Sequence, residues 1–171
     1  KRLLELCERF GVDTIQSSMD DLLERNRRAM LHLIQTTIGK EERVYFEDYV
    51  DDDGLGNGPF KLKLSVWREG DQAYFDWTGT SPQAPGPINF YLHEGMFKMF
   101  IGVYMIMVFD PQILFNDGFY DLIHVTLPKG SLLRPNFPAA LGCRTHALSR
   151  QFDVLGGALS KNTPEMATAA G

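Results

Sequence analysis

The chain has 171 residues, of which 44% are hydrophobic, so it can bury the core of one domain or of part of one. It carries 17 basic and 22 acidic residues and a formal net charge of −5, which argues against nucleic acid as a partner because phosphate groups repel such a surface. Cys7 and Cys143 lie far apart without C-x-x-C spacing. They suit a reducing compartment better than a disulfide framework, so we expect a cytoplasmic protein.

The N-terminal segment is predicted to be helical. Lys1–Arg9 is a charged amphipathic run and lacks the apolar core of a signal peptide. Two helices are expected over Leu3–Phe10 and Asp13–Ile38, separated by Gly11, with Asp13 as the N-cap of the second. An apolar stripe at helical spacing supports the second helix, and its members are Ile15, Met19, Leu22, Ala29, Met30, Leu33 and Ile34.

Three strands are predicted next, from the alternation of apolar and polar residues. They are Arg43–Val50, Lys61–Trp67 and Ala73–Trp77, and the short turns between them indicate an antiparallel meander. The acidic run that begins Asp51–Pro59 invites comparison with calcium loops, but it does not fit the EF-hand template. We interpret it as a polar turn, with metal binding left as an alternative.

The sequence F-D-W-T-G-T-S-P-Q-A-P-G-P-I-N at Phe75–Asn89 is the stretch around which the chain is organised. Its prolines and glycines end the third strand and predict an irregular but stiff loop. Its hydroxyl and amide side chains form hydrogen bonds but do not titrate near neutral pH. Two interpretations follow: the loop holds a ligand or braces a cavity, or it is a structural crossover satisfied by its own polar groups.

After this loop the sequence predicts a helix over Phe90–Phe109, with Asn89 as its cap. The part from Met99 onward is apolar on every side but falls short of the roughly 20 residues that cross a bilayer. We therefore expect no membrane association, and a helix buried in the core or against another chain. Gly95 and Gly102 are expected to mark close packing, and His93 in the first turn is expected to cap the helix or to enter the core.

The remaining third of the chain is expected to contain one strand, one loop and one helix. The strand is Phe119–Leu127, the proline-studded loop is Pro128–Pro138, and the helix runs from about Cys143 to Leu159. The predicted fold class is therefore α+β. Near the end of the chain, Arg150 and Asp153 are spaced for an ordinary surface ion pair on the last helix.

Several blocks of sequence, in one order along the chain, resemble the hydantoinase B/5-oxoprolinase family. The resemblance runs from about Val44 to the end, and Asn89–Ile123 looks most like the α subunit of acetone or acetophenone carboxylases. Its blocks are Asp51 and Asp53 before Gly54, Phe75–Asn89, L-P-K-G-S-L-L-R-P at Leu127–Pro135, F-P-A-A-L-G-C-R-T at Phe137–Thr145, F-D-V-L-G-G-A-L at Phe152–Leu159 and A-A-G at Ala169–Gly171.

Because members of this family are several times longer, we expect residues 1–171 to be an internal fragment of one larger hydantoinase B-like domain. Within it, 1–42 would be a helical lead-in, 43–77 antiparallel strands, 78–89 the signature loop and 90–171 a mixture of helices and strands.

The resemblance implies part of the catalytic subunit of an ATP-dependent ketone carboxylase, which joins an activated ketone to bicarbonate-derived carbon. The implied partner is a hydantoinase A-like nucleotide-binding subunit, with a small third subunit as an option. The full assembly would use ATP and a divalent metal ion, whereas this fragment matches no metal constellation and is expected to be inactive alone. One alternative is ATP-dependent hydrolysis of a cyclic amide such as a hydantoin, 5-oxoproline or a lactam. Another is a non-catalytic assembly domain.

Candidate site residues are those that could line or support a cavity; no catalytic residue or metal ligand is assigned. Asp76 needs hydrogen-bond partners if it is buried, and Arg144 is the cation expected to pair with it across the two loops. Arg144 and His146 could instead bind an anion at the start of the last helix. The full set is Asp76, Thr78, Thr80, Gln83, Asn89, Arg144 and His146.

Overall fold

The structure is a computed structural model that describes residues 1–40 and 42–164, so the block at Ala169–Gly171 lies outside the described residues. It confirms the α+β class. The elements in chain order are α1 (Arg2–Phe10), α2 (Val12–Thr37), β1 (Val44–Val50), β2 (Phe60–Glu69), β3 (Gln72–Asp76), α3 (Glu94–Phe109), a 3₁₀ helix (Asp117–Leu122), β4 (Ile123–Thr126) and α4 (Thr145–Leu159).

The four strands form one sheet in the order β1-β2-β3-β4. The first three are the predicted antiparallel meander, with Val44 opposite Val66 and Glu69 opposite Gln72. The fourth strand runs parallel to β3, with Ala73 opposite Ile123. The sheet is therefore mixed. A parallel neighbour requires a crossover connection, and α3 lies within the connection between β3 and β4.

The core lies between the sheet and the helices. Alternate residues of β2 and β3 are buried, including Leu62, Leu64 and Phe75, and α4 packs against β1 and β2. Phe152 of α4 stacks on Phe100 of α3, with ring centroids 4.2 Å apart. These contacts bury the apolar face of the sheet beneath the helices, which is the main source of stability for such a fold.

The predicted pair on the last helix is confirmed and extended. Nη1 of Arg150 lies 3.0 Å from Oδ2 of Asp153 and 2.8 Å from Oδ2 of Asp48. Because Asp48 belongs to β1, the guanidinium group also connects α4 to the sheet.

Three predicted boundaries are wrong, and each has a local cause. Helix α3 begins at Glu94, because His93 is the N-cap and its Nδ1 accepts a hydrogen bond from the Gly95 amide at 3.2 Å; Asn89 is not the cap. Helix α2 is preceded by Gly11 and not by Asp13, which lies in the first turn, where the helix dipole favours a carboxylate. The expected strand over Phe119–Leu127 starts as a 3₁₀ helix, because Asn116 caps that helix and its Oδ1 accepts a hydrogen bond from the Gly118 amide at 2.9 Å.

Helix α3 buries only one of its faces within the described part of the chain. Phe97, Ile101 and Met105 are buried, whereas Met96 is exposed and Met107 is 71% exposed. Burial in the core is therefore confirmed for one face of the helix, and burial of the other face against another chain stays a prediction. None of the described helices is both long and apolar enough to span a membrane.

The two glycines of α3 differ in their surroundings. A Cβ atom at Gly102 would overlap the Phe119 ring, whereas a Cβ at Gly95 would meet only the ring of the capping His93, with Nδ1 at 3.5 Å. The close packing expected at both positions occurs at Gly102 alone.

We therefore expect Gly102→Ala to lower the free energy of unfolding by about 1–3 kcal/mol, because overpacking displaces the Phe119 ring. Gly95→Ala is the matched control and should raise stability by up to about 1 kcal/mol through helix propensity. Chemical denaturation of the two purified variants measures the difference. Equal stability changes in the two variants would contradict the packing assigned to Gly102.

Candidate functional site

The buried side-chain amide of Asn89 is one of the groups that hold the signature loop together. Asn89 is fully buried. Its Oδ1 accepts a hydrogen bond from the Ala84 amide at 2.8 Å, and its Nδ2 donates to the carbonyl oxygens of Ala84 at 2.9 Å, Gly86 at 3.1 Å and Ala140 at 3.0 Å. Since Ala140 follows the second proline-rich loop, this one side chain closes the signature loop and links it to the next.

The second buried polar group is Asp53, from the turn between β1 and β2. Its Oδ1 accepts hydrogen bonds from the amides of Leu55 at 2.9 Å and Asn57 at 3.1 Å. Its Oδ2 accepts from Nδ2 of Asn57 at 2.9 Å and from the Gly86 amide at 2.8 Å. Burial alone raises the pKa of the Asp53 carboxyl, but these four hydrogen bonds stabilise the carboxylate more, so the net pKa is lowered. The polar turn thus supports the signature loop through Asp53.

Gly86 is required by this contact. A Cβ atom at residue 86 would lie 2.7 Å from both Cβ and Cγ of Asp53, which is closer than such atoms can approach. The absence of a side chain is therefore what lets the Gly86 amide reach the buried carboxylate.

Backbone hydrogen bonds join the signature loop, Thr78–Asn89, to the second loop, Pro128–Pro138. The Gln83 amide donates to the carbonyl of Gly130 at 2.8 Å, and the Leu132 amide donates to the carbonyl of Ser81 at 2.9 Å. We call the two joined loops the two-loop platform. Main-chain groups thus join the two loops directly, in addition to the side-chain contacts of Asn89 and Asp53.

A side-chain contact adds to the platform at its outer edge. Oε1 of Gln83 accepts a hydrogen bond from the Asn136 amide at 2.7 Å. The predicted site residue Gln83 therefore joins the two loops, through its side chain as well as its main chain.

A cavity of about 500 Å³ lies beside the platform, and we call it the platform cavity. A smaller cavity of about 100 Å³ adjoins it, since Tyr91 and Arg134 line both. Most residues that line the larger cavity are exposed, so it opens to solvent. Its described lining residues include Tyr91, Lys129, Arg134, Asn136, Phe137 and Leu141.

The platform cavity is cationic. Among the described residues that line it, Lys129 and Arg134 are basic and none is acidic. Within the described part of the chain, neither of these two cations takes part in a salt bridge; Nη1 of Arg134 makes only a long hydrogen bond, 3.4 Å, to the carbonyl of Leu127. This arrangement can attract an anion.

The two threonines among the predicted site residues have different positions. Thr80 is buried, and its Oγ1 accepts a hydrogen bond from the Lys63 amide of β2 at 3.1 Å. Thr78 is exposed, and its amide donates to Oδ1 of Asp76 at 2.9 Å. Thr80 therefore fixes the loop to the sheet, whereas Thr78 contributes its backbone to the partners of Asp76.

The expected Asp76–Arg144 pair is wrong. Oδ2 of Asp76 lies 3.1 Å from Nη2 of Arg43, whose guanidinium group also stacks over Trp67 at 4.3 Å. Strand β2, which carries Trp67, lies between β1 and β3. Arg43 precedes β1 and Asp76 ends β3, so the Arg43 side chain crosses β2, stacked over Trp67, to reach Asp76. Arg144 and His146 are exposed at the start of α4 and are not among the described residues that line the platform cavity.

The sequence-based site prediction missed Asp53, Tyr91, Lys129 and Arg134. Asp53, Lys129 and Arg134 lie in blocks that carry the family resemblance, which was a usable signal. No sequence signal marks Tyr91 as a site residue, since its position at the cavity depends on how the chain leaves the signature loop. Among the described residues, no three His, Cys, Asp or Glu side chains are grouped so that they could hold a metal ion.

Comparison with known proteins identifies the family to which this α+β fold and its paired loops belong. The family model for hydantoinase B/oxoprolinase matches residues 1–171. The chain therefore belongs to the hydantoinase B/oxoprolinase family.

Individual relatives agree with this assignment. The chain is 27% identical to the B-type subunit of a putative D-/L-hydantoinase from Pseudomonas sp. (strain NS671) and 27% identical to the β subunit of caprolactamase from Pseudomonas jessenii, in each case over 99% of its length. It spans 30% and 29% of those two proteins. It is also 27% identical to the acetophenone carboxylase delta subunit of Aromatoleum aromaticum, over 83% of the chain and 20% of that protein.

A solved structure has the same fold. The crystal structure of the ATP-dependent caprolactamase from Pseudomonas jessenii superimposes with a TM-score of 0.82 at 26% identity, covering 96% of this chain and 28% of the caprolactamase chain. The similarity to a carboxylase concerns a delta subunit, so the finer resemblance to an α subunit is not confirmed.

The contact between Gly86 and Asp53 can be tested by a substitution. Gly86→Ala should lower the free energy of unfolding by about 1–3 kcal/mol, because the added methyl group forces Asp53 away from the loop. Gly142→Ala is the control, since its Cβ would meet only Pro87 at 3.7 Å; its effect should stay within about 0.5 kcal/mol. Chemical denaturation compares them, and an equally small effect of Gly86→Ala would contradict the close approach.

The lowered pKa of Asp53 predicts how the stability of the protein depends on pH. Because the pKa of Asp53 is lower in the folded than in the unfolded protein, its stabilising effect is present above the unfolded pKa of about 3.9 and is lost as the pH falls through the lower folded value. The midpoint of thermal unfolding should therefore be higher for the native protein than for Asp53→Asn at pH 7. This difference should shrink as the pH is lowered below about 4. A difference that stays constant from about pH 7 to about pH 2.5 would contradict the lowered pKa.

Proposed function

We propose that this chain is part of a subunit of an ATP-dependent enzyme that opens a cyclic amide. The observation that carries the proposal is the similarity to the hydantoinase and caprolactamase subunits, which extends over almost the whole chain. The close superposition on the caprolactamase structure supports it. This order of preference reverses the sequence-based one, in which ketone carboxylation came first.

The proposed assembly includes other subunits. The relatives are named as subunits, and on that basis we propose a hydantoinase A-like partner that binds ATP and transfers its phosphoryl group to the carbonyl oxygen of the substrate, with a small third subunit as an option. The resemblance also implies a divalent metal ion, but the described residues do not fit one. We propose a cytoplasmic location for this assembly.

Within the assembly, we assign residues 1–171 to one larger domain and the two-loop platform to its cavity wall. Asp76, Thr80, Gln83 and Asn89 support this wall, since each is engaged with another side chain or with the backbone. Such groups hold a site in shape and do not transfer protons. Removing one should therefore reduce activity through loss of structure.

Ketone carboxylation is the second candidate. The similarity to the acetophenone carboxylase delta subunit favours it, although that match covers a smaller part of the chain than the matches to the hydantoinase and caprolactamase subunits do. In that reaction the activated ketone would be joined to carbon derived from bicarbonate.

The two candidates are separated by measuring ADP release from the full-length subunit assembled with its nucleotide-binding partner. We expect ATP hydrolysis to rise with hydantoin, 5-oxoproline or caprolactam, and to stay at its basal rate with acetone or acetophenone plus bicarbonate. Gly86→Ala should lower the stimulated rate, whereas Gly142→Ala should leave it unchanged. Stimulation by ketone and bicarbonate alone would replace the first candidate by the second. Stimulation by none of these substrates would reject both.

A further inference from the structure

We propose that the platform cavity binds a small organic anion. Lys129 and Arg134 would hold its carboxylate or phosphoryl group, and the rings of Tyr91 and Phe137 would contact its apolar part. The four side chains line one cavity of about 500 Å³, which lies within the range of roughly 300–1,000 Å³ that is typical of small-molecule sites.

The first argument is the charge of the cavity. The chain as a whole is acidic, with a net charge of −5, yet the described lining residues of this cavity include two cations and no carboxylate. Cations at protein surfaces commonly meet a carboxylate partner, as Arg43 meets Asp76 here. Lys129 and Arg134 form no salt bridge among the described residues, although Glu94 lines the smaller adjoining cavity together with Arg134, so both cations are available to an anion from solution.

The second argument is the geometry of the Arg134 guanidinium group. A guanidinium group presents several N–H donors in a planar fork that matches a carboxylate or a phosphate. Here Nη1 reaches the carbonyl of Leu127 at 3.4 Å. This weak contact orients the group and leaves most of its donors for a ligand.

The third argument is that a tight turn fixes the backbone from which the two cationic side chains extend. The Gly130 amide donates to the carbonyl of Arg134 at 2.8 Å, and the Arg134 amide donates to the carbonyl of Ser131 at 3.1 Å. Gly130 has a φ of +74°, a conformation that glycine adopts at little cost. Lys129 and Arg134 therefore flank a turn that is already formed, which lowers the entropy lost on binding.

The fourth argument is the apolar part of the wall. Phe137 is 99% exposed and Tyr91 is 54% exposed, and aromatic rings left open beside a cavity are typical of binding sites. A purely inorganic anion would leave both rings in water. An anion with an attached ring or alkyl group would cover them.

The choice of ligand rests on the proposed function in one respect. Opening of a cyclic amide yields one molecule that carries a carboxylate and an ammonium group, and use of ATP places a phosphoryl group on a substrate oxygen. Each species presents an anionic group, a carboxylate or a phosphoryl group, to the two cations of the cavity. The chemistry that they share is a compact anionic group joined to an apolar body, and the experiment distinguishes the two forms.

The test is direct binding to the full-length subunit at low ionic strength, without ATP, by isothermal titration calorimetry. The probes are phenyl phosphate, benzoate, inorganic phosphate and the neutral benzyl alcohol. We expect saturable binding of phenyl phosphate or benzoate, weaker binding of inorganic phosphate and no binding of benzyl alcohol. Tighter binding of phenyl phosphate would indicate the phosphorylated form as the natural ligand, and tighter binding of benzoate the carboxylate form.

Substitutions locate the site. Lys129→Gln and Arg134→Gln should each weaken binding about tenfold, the effect of losing a hydrogen bond to a charged group, and both residues are exposed, so the fold should be retained. Arg144→Gln is the matched control, because Arg144 is an exposed cation outside the cavity lining, and it should bind as the native protein does. Arg134→Lys keeps the charge but loses the fork, and should fall between the native protein and Arg134→Gln.

Three results would overturn the proposal. They are the absence of saturable binding of either aromatic anion, equal binding of benzyl alcohol, and a loss of binding in Arg144→Gln but not in the cavity variants. Because the measurement needs neither turnover nor a particular substrate, a negative result leaves the ATP-dependent reaction to be judged by ADP release alone.

Discussion

The arrangement of the site depends on two polar side chains that are buried beneath the signature loop. A loop with this many prolines and glycines forms few regular main-chain hydrogen bonds, and each buried group left unpaired would cost free energy. The Asp53 carboxylate and the Asn89 amide supply the missing partners. Between them they bind the backbone at residues 84, 86 and 140, so the loop has one well-defined position in spite of its irregular backbone.

The position of the second loop follows from that of the first. Main-chain hydrogen bonds at Ser81 and Gln83 fix the turn that carries Lys129 and Arg134. The cations of the cavity are thus held by a chain of contacts that starts at a carboxylate with a lowered pKa, in the turn between β1 and β2. Polar residues that do not line the cavity therefore determine, through these successive contacts, where the residues that line it lie.

The helices show a different constraint. Helix α3 is apolar around most of its circumference, yet the described residues cover only the face that includes Phe97 and Met105. No residue of α1 is buried. The chain spans 30% and 29% of the two curated relatives that it matches over almost its whole length. In the proposed assembly, further protein surface would cover these exposed apolar faces.

The sequence by itself determined the α+β class, the antiparallel meander, both proline-rich loops and the family, because periodicity and local motifs depend on neighbouring residues. It also indicated the Arg150–Asp153 pair, whose partners lie one helical turn apart. Only the tertiary structure decided which distant groups meet. The Arg43 guanidinium group reaches Asp76 because it stacks over the Trp67 ring on the strand between them. The Asp53 carboxylate binds the Gly86 amide, 33 residues further along the chain. Tyr91 joins Lys129 and Arg134 at one cavity because the loops pack together, and no local pattern encodes that packing.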